Sequence, residues 1–129
     1  MLKGSCLCGK VSFEVEGKLS PVEACHCTMC RKWTSHFLAS TEVPRSALKI
    51  NDSNLVSWFR SSGKVRRGFC STCGSPLFFD PVDKEKHAWI GVSMGAIESP
   101  TGTEMALHIF TSEKGDYYEI MDGLSQNEN

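Results

Sequence analysis

Ala24-Cys25-His26-Cys27-Thr28-Met29-Cys30-Arg31 sets three thiols within six residues. Two closer pairs flank it, Cys6-Leu7-Cys8 upstream and Cys70-Ser71-Thr72-Cys73 downstream, for seven cysteines in all. A Cys-x-Cys or Cys-x-x-Cys spacing lets one short turn place both sulfurs on a single ion, and zinc accepts thiolates in a tetrahedron. A structural tetrahedral site closes itself with four ligands. Seven divides into four and three, and three ligands leave one position open. The favoured partition gives Cys6, Cys8, Cys70 and Cys73 to a closed structural zinc, which pins two distant parts of a small chain together. It leaves Cys25, Cys27 and Cys30 for a second ion. A competing partition joins Cys27 and Cys30 to Cys70 and Cys73 as a zinc ribbon, with Cys6, Cys8 and Cys25 unpaired. The long gap between Cys30 and Cys70 weighs against it.

The surrounding chain has 129 residues, 40% hydrophobic and 22% charged, which suits one domain over 1–129 with a small core. A net charge of -1 argues against nucleic acid as a partner. The sequence lacks an apolar run of about eighteen residues, so no membrane span is expected. Met1 to Cys6 carries no apolar signal region, and the expected compartment is the cytoplasm, where close cysteine pairs bind metal rather than oxidise.

Around the cysteines the pattern is one of short strands and frequent turns, a mostly-β fold. Val11, Phe13 and Val15 alternate with Ser12, Glu14 and Glu16, as in a half-buried strand. Val22 to Ala24 reads as a short strand delivering Cys25. Thr28 to Thr34 reads as one or two helical turns with Thr28 as N-cap. Extended segments are expected at 36–40, 55–60, 65–69, 77–79, 87–93, 107–110 and 117–120. Turns are expected at 44–48, 51–54 and 61–64. Residues 123–129 are polar and read as a flexible tail.

The open site has a chemistry set by charge. Three thiolates on a zinc ion leave the complex at -1, which weakens it as a Lewis acid and disfavours a hydrolytic zinc hydroxide. A fourth sulfur suits such a site better: a substrate thiol is held there as thiolate near an electrophile. The plainer alternative is a structural site closed by a His or Asp from elsewhere in the chain.

Three segments together resemble a known family: Gly4-Ser5-Cys6-Leu7-Cys8-Gly9-Lys10-Val11, Cys25-His26-Cys27-Thr28-Met29-Cys30-Arg31, and Arg67-Gly68-Phe69-Cys70-Ser71-Thr72-Cys73-Gly74-Ser75-Pro76-Leu77. They are similar to the glutathione-dependent formaldehyde-activating enzyme family, which shares its domain with centromere protein V. His108-Ile109-Phe110 and Asp122-Gly123-Leu124 extend the likeness over most of the chain. The resemblance implies an Mss4-like fold of short antiparallel sheets around a structural zinc on Cys6, Cys8, Cys70 and Cys73. It implies a catalytic or labile zinc on Cys25, Cys27 and Cys30. It also implies a carbon–sulfur lyase whose partners are glutathione, or a similar thiol, and formaldehyde; the adduct is S-hydroxymethylglutathione. The chain departs from the family at Ser112-Glu113-Lys114-Gly115-Asp116-Tyr117, where Ser-Lys-Ala-Pro-Trp is common.

Other residues carry weaker signals. Arg31 is a candidate for binding a substrate carboxylate beside the open metal. Arg60, Lys64, Arg66 and Arg67 form a second basic group, read either as carboxylate capture or as a solvated strand face. His26, between two ligand cysteines, is expected to point away from the sulfurs, and His108 to be a hydrogen-bonded core histidine. Trp33 is the tryptophan best placed to face a substrate; Trp58 and Trp89 read as core. The rival functional class is a non-catalytic zinc scaffold or interaction module, a third is a metal buffer, and a second copy of the chain is retained as a candidate partner in a homodimer.

Overall fold

The computed structural model describes residues 1–129. The alternation around Phe13 becomes strand β2 (Ser12–Val15), with Phe13 and Val15 buried and Ser12 and Glu14 half-exposed. β2 is the middle of a three-stranded antiparallel sheet, flanked by β1 (Leu2–Ser5) and β5 (Leu48–Asn51). The 44–48 segment reads as a turn or a single helical turn. It makes one 3-10 turn at Arg45–Ala47 and then extends, because Leu48 and Ile50 fall opposite Val15 and Phe13 and share their apolar face.

The second sheet has eight strands: β3 (Val22–Cys25), β4 (Leu38–Pro44), β6 (Val56–Arg60), β7 (Val65–Cys70), β8 (Pro76–Pro81), β9 (Trp89–Ser93), β10 (Met105–Ile109) and β11 (Ser125–Gln126). Their spatial order is β11-β10-β3-β4-β9-β8-β7-β6. Pairing is antiparallel except around β10, which runs parallel to both β3 and β11. The architecture is therefore mostly β, as the turn-rich pattern requires. The only α-helix, α1 (Thr28–Thr34), lies between β3 and β4.

The two sheets pack face to face over Phe13, Val15, Leu77, Phe78 and Val92. Phe13 meets Phe78 edge-on at 5.5 Å between ring centroids. Gly4 forms an isolated antiparallel bridge with Ile97. A Cβ at Gly4 would stand 2.3 Å from the Phe13 ring and 2.6 Å from the Ala96 carbonyl oxygen, so only glycine fits. Asp80 is buried in the large sheet and paired by two guanidinium groups, Arg45 at 2.5 Å and Arg66 at 2.7 Å. That ion cluster gives Arg66 a structural task.

Three expectations change. Thr28 does not cap α1; Cys27 does, its Sγ accepting from the Cys30 amide at 3.3 Å. Residues 117–120 form no strand. The Lys114 ammonium donates to the carbonyls of Gly115 and Tyr118 and curls the segment, while Tyr117 and Tyr118 stack on histidines. The polar 123–129 segment is docked rather than frayed. β11 covers the free edge of β10, with Asn127 N donating to His108 O at 2.8 Å and Thr111 N to Asn127 O at 3.0 Å. No helix is long and apolar enough to cross a membrane.

Candidate metal centres

The seven cysteines are all free thiols and fall into two groups, Cys6/Cys8/Cys70/Cys73 and Cys25/Cys27/Cys30. Within each group the sulfurs lie inside 4.8 Å of one another. The grouping is four and three; Cys27 and Cys30 do not join Cys70 and Cys73 as a ribbon would need.

The four-sulfur group sits where β1 and β7 end. Gly9 (φ +81°) and Gly74 (φ +79°) turn the chain back after each cysteine pair, in a backbone region that side chains strain to enter. Backbone amides point at the sulfurs: Val11 N reaches Cys6 Sγ at 3.3 Å and Thr72 N reaches Cys70 Sγ at 3.4 Å. Ser75 ties the two halves, accepting from Leu7 N at 2.9 Å and bonding Cys73 Sγ at 3.1 Å. The Ser75 hydrogen bonds bring the Cys73 thiol down to about 5. Cys6 and Cys8 sulfurs are 3.6 Å apart, and Cys8 and Cys70 sulfurs 3.8 Å. A tetrahedron with zinc–sulfur bonds of 2.3 Å has edges of about 3.8 Å. The donor set and its spacing fit zinc.

The three-sulfur group is built by the end of β3 and the first turn of α1. Cys25 and Cys27 lie two residues apart and face the same side. Cys30 comes round one helical turn later to meet them and is itself buried. The three sulfurs share their charge: hydrogen bonds from Cys25 and Cys30 draw the Cys27 thiol far down, while Cys27 as acceptor pushes Cys25 up. Arg67, 3% exposed, completes the group by donating from Nη1 to Cys30 Sγ at 3.4 Å. A buried guanidinium charge is costly without a partner, and the sulfurs supply one. Arg67 also donates to Ser61 Oγ at 3.1 Å and lies between the rings of Trp33 and Phe79.

The sulfurs of Cys25, Cys27 and Cys30 line a cavity of about 330 Å³. Its wall is one face of the large sheet. Glu42, Gly91, Phe79 and Arg67 stand opposite one another in a row across β4, β9, β8 and β7. A Cβ at Gly91 would stand 3.0 Å from Phe79 Cβ, so any side chain is tight there. Glu23, Trp89 and Phe110 also line it. Burial first, and the neighbouring Glu23 charge second, push the Glu42 carboxyl up. A wider groove of about 660 Å³ passes Cys6 elsewhere, but a single cysteine borders it.

Other expected site residues are placed differently. Arg31 is not part of the cavity lining; one position past Cys30 on α1, it turns outward and donates to the Glu113 carbonyl at 2.9 Å. Arg60 closes the hairpin turn on Ser62 and Gly63 carbonyls. Of the basic group, Arg67 alone reaches the sulfurs. Trp89 borders the cavity and Trp33 stacks on Arg67 behind it. The divergent 112–117 segment packs against α1 instead of the cavity. Glu113 Oε1 accepts from Thr28 N at 3.0 Å and from Thr28 Oγ1 at 2.9 Å.

His26 points away from the sulfurs, as its position between Cys25 and Cys27 requires, and is wholly buried. It belongs to a hydrogen-bonded chain absent from any sequence signal: Tyr118 Oη to His26 Nδ1 at 2.7 Å, His26 Nε2 to His108 Nδ1 at 2.8 Å, and His108 Nε2 to Asp122 Oδ2 at 2.7 Å. Burial, then the nearby His108, depresses His26. The His108 hydrogen bond lowers Asp122. The chain ties the backbone between two sulfur residues to β10 and the C-terminal segment.

Comparison with known proteins adds four findings. The sequence profile described as glutathione-dependent formaldehyde-activating enzyme matches residues 1–113. A Schizosaccharomyces pombe protein named an uncharacterised lyase is 31% identical over 78 residues, 60% of this chain and 56% of that protein. The chain thus spans little more than half of that relative's length. A Halomonas elongata protein, assigned by name to the glutathione-dependent formaldehyde-activating enzymes, is 29% identical over 131 aligned residues, 93% of this chain and 81% of its own. Among solved structures, a Rhodobacter sphaeroides protein superposes with a TM-score of 0.64 at 21% identity, covering 81% of this chain and 99% of that one. At that identity the likeness concerns the fold.

Proposed function

We propose that this chain, which belongs to the glutathione-dependent formaldehyde-activating enzyme family, is a carbon–sulfur lyase that adds a thiol such as glutathione to a small aldehyde such as formaldehyde, or releases it. One observation carries the reading: three sulfurs converge within 4.8 Å on the lining of a cavity large enough for a small ligand. The other four are taken up at the junction of β1 and β7, in a group suited to a closed structural zinc. Cys25, Cys27 and Cys30 would hold the zinc, which would supply an acceptor for one further sulfur and favour its ionised form.

The chain's own residues do the rest. Arg67 offsets the negative charge of the sulfur group from behind, so that another anionic sulfur is tolerated. Phe79, Trp89 and Phe110 keep the cavity wall apolar and limit water, which strengthens local electrostatics. The reaction is balanced without an oxidant. The thiol S–H gives up its proton, a sulfur–carbon bond forms at the aldehyde carbon, and the carbonyl oxygen takes the proton to become a hydroxyl. The reverse returns thiol and aldehyde. Seven free thiols call for a reducing compartment, which the cytoplasm provides.

Exchange NMR on the zinc-loaded protein with glutathione and formaldehyde tests this directly. Acceleration of adduct exchange over the spontaneous rate is expected, with loss in Cys27→Ser. A rate equal to buffer, with both sulfur groups loaded, excludes this substrate pair.

A further inference from the structure

The cavity over Cys25, Cys27 and Cys30 has an unusual charge for a site that receives a thiol. Two carboxylates line it, Glu23 on β3 and Glu42 on β4, and one cation, Arg67. Arg67 is already engaged by Cys30 and Ser61. The chain's ion pairs involve Asp80 and Asp122 only, and neither Glu23 nor Glu42 accepts a side-chain hydrogen bond. Both carboxylates are therefore free to meet a ligand, and they stand beside a group of sulfurs that is itself negative.

Their placement follows from strand register. Glu23 shares the face of Cys25, two residues earlier on β3. Glu23 pairs with Ser40, and Glu42 is two residues beyond on β4, again on the same face. The carboxylates are diagonal neighbours across the two strands. At about 3.3 Å per residue they stand roughly 7 and 13 Å along the strands from the level of Cys25. Leu38 and Ile109 flank Cys25 at its own level on the neighbouring strands, Ser40 stands level with Glu23, and Phe79 and Trp89 supply the apolar wall alongside.

Resting on the proposed thiol chemistry, we infer that this cavity selects a thiol carrying a cationic amine several bonds from its sulfur. The sulfur goes to the Cys25/Cys27/Cys30 end, the linker lies on the apolar wall, and the ammonium seats between Glu23 and Glu42. A γ-glutamyl peptide thiol satisfies this through its α-ammonium, and an aminoalkyl thiol does so more simply. A thiol whose far end is only a carboxylate meets two like charges, and the cavity lining holds no cation besides the engaged Arg67. The carboxylate pair thus sets the selectivity that the sequence had assigned to Arg31.

Isothermal titration of the zinc-loaded full chain with aminohexanethiol, mercaptohexanol and mercaptohexanoate tests the inference. All three have six-carbon chains and end in ammonium, hydroxyl or carboxylate. Ammonium is expected to bind about tenfold tighter than carboxylate, the size of two part-exposed ion pairs. The double variant Glu23→Gln, Glu42→Gln should abolish that preference while keeping its metal content and melting temperature. Equal affinities, or a preference that survives the double variant, overturn the inference. Hexylamine and hexanoate separate it from the thiol chemistry. If no thiol binds but hexylamine binds better than hexanoate, the thiol reading fails and the cation selectivity stands. If nothing binds, both fail.

Discussion

Arg67 is the cation on which the three-sulfur group depends. Its Nη1 lies 3.4 Å from Cys30 Sγ in a buried setting. Arg67→Met keeps the packing against Trp33 and Phe79 but removes the charge, and should weaken metal retention at Cys25, Cys27 and Cys30 by roughly 10- to 100-fold. Competition with a graded chelator measures this; unchanged retention would contradict it. His26 gives the second prediction at this scale. Burial holds it below its ordinary value of 6.5. The unfolded chain then binds a proton that the folded chain refuses, so stability rises with pH through that window and falls as pH drops below about 6.5. His26→Gln should flatten the slope of melting temperature between pH 5 and pH 7 (roughly the His window) relative to the wild type. An equal slope would show that the cysteines alone set it. Single residues were the least legible part of the sequence. Arg67 stood in a run with Arg60, Lys64 and Arg66, and only β7 register sends Arg67 to the sulfurs and Arg66 to Asp80. Glu23 and Glu42 look like ordinary wet-face positions until the fold curves that face into a cavity.

At the level of elements, α1 is the weak link in the site. It has seven residues, Cys27 as its N-cap, and no acidic residue in its own first turn. Glu113 supplies that charge from another part of the chain, bonding both the amide and the hydroxyl of Thr28. Glu113→Ala should cost about 1 kcal/mol, as lost caps do, and loosen the metal at Cys30 more than at Cys70. Thermal melting, with metal release followed group by group, checks both parts; equal loosening of the two groups would contradict it. Elements with period-two alternation or cysteine punctuation, such as β2, β3 and β7, were legible in the sequence. β5 was not, because Leu48 and Ile50 acquire their apolar partners only when β2 lies beside them. The 117–120 segment misled for the converse reason. Its β-type composition is spent on stacking Tyr117 against His36 and Tyr118 against His26. β11 is built from polar residues whose ordering comes from backbone bonds to β10, which composition does not register.

Over the whole molecule, two sheets meet at a junction held by Gly4, Phe13 and the four-sulfur group. Gly4→Ala forces the Phe13 ring or the Ala96 backbone to move and should cost about 1–3 kcal/mol without altering the cavity. The division of labour between the sulfur groups follows from where they sit. Cys6 and Cys70 are buried in the main core with Val11 and Leu77, so the loss of a metal held there would open the core. Cys25 and Cys27 stand half-buried on a cavity wall, where a metal can leave with the core intact. Spacing favoured the four-plus-three division over a zinc ribbon without deciding it; the folded positions of the sulfurs separate the two. The most direct measurement is native mass spectrometry during a chelator titration, with circular dichroism read in parallel. Two zinc ions per chain are expected, the first removed by a mild chelator with the β signal unchanged, the second only by a strong chelator and with loss of the fold. A single zinc per chain, or two that leave together as the fold melts, would contradict that division.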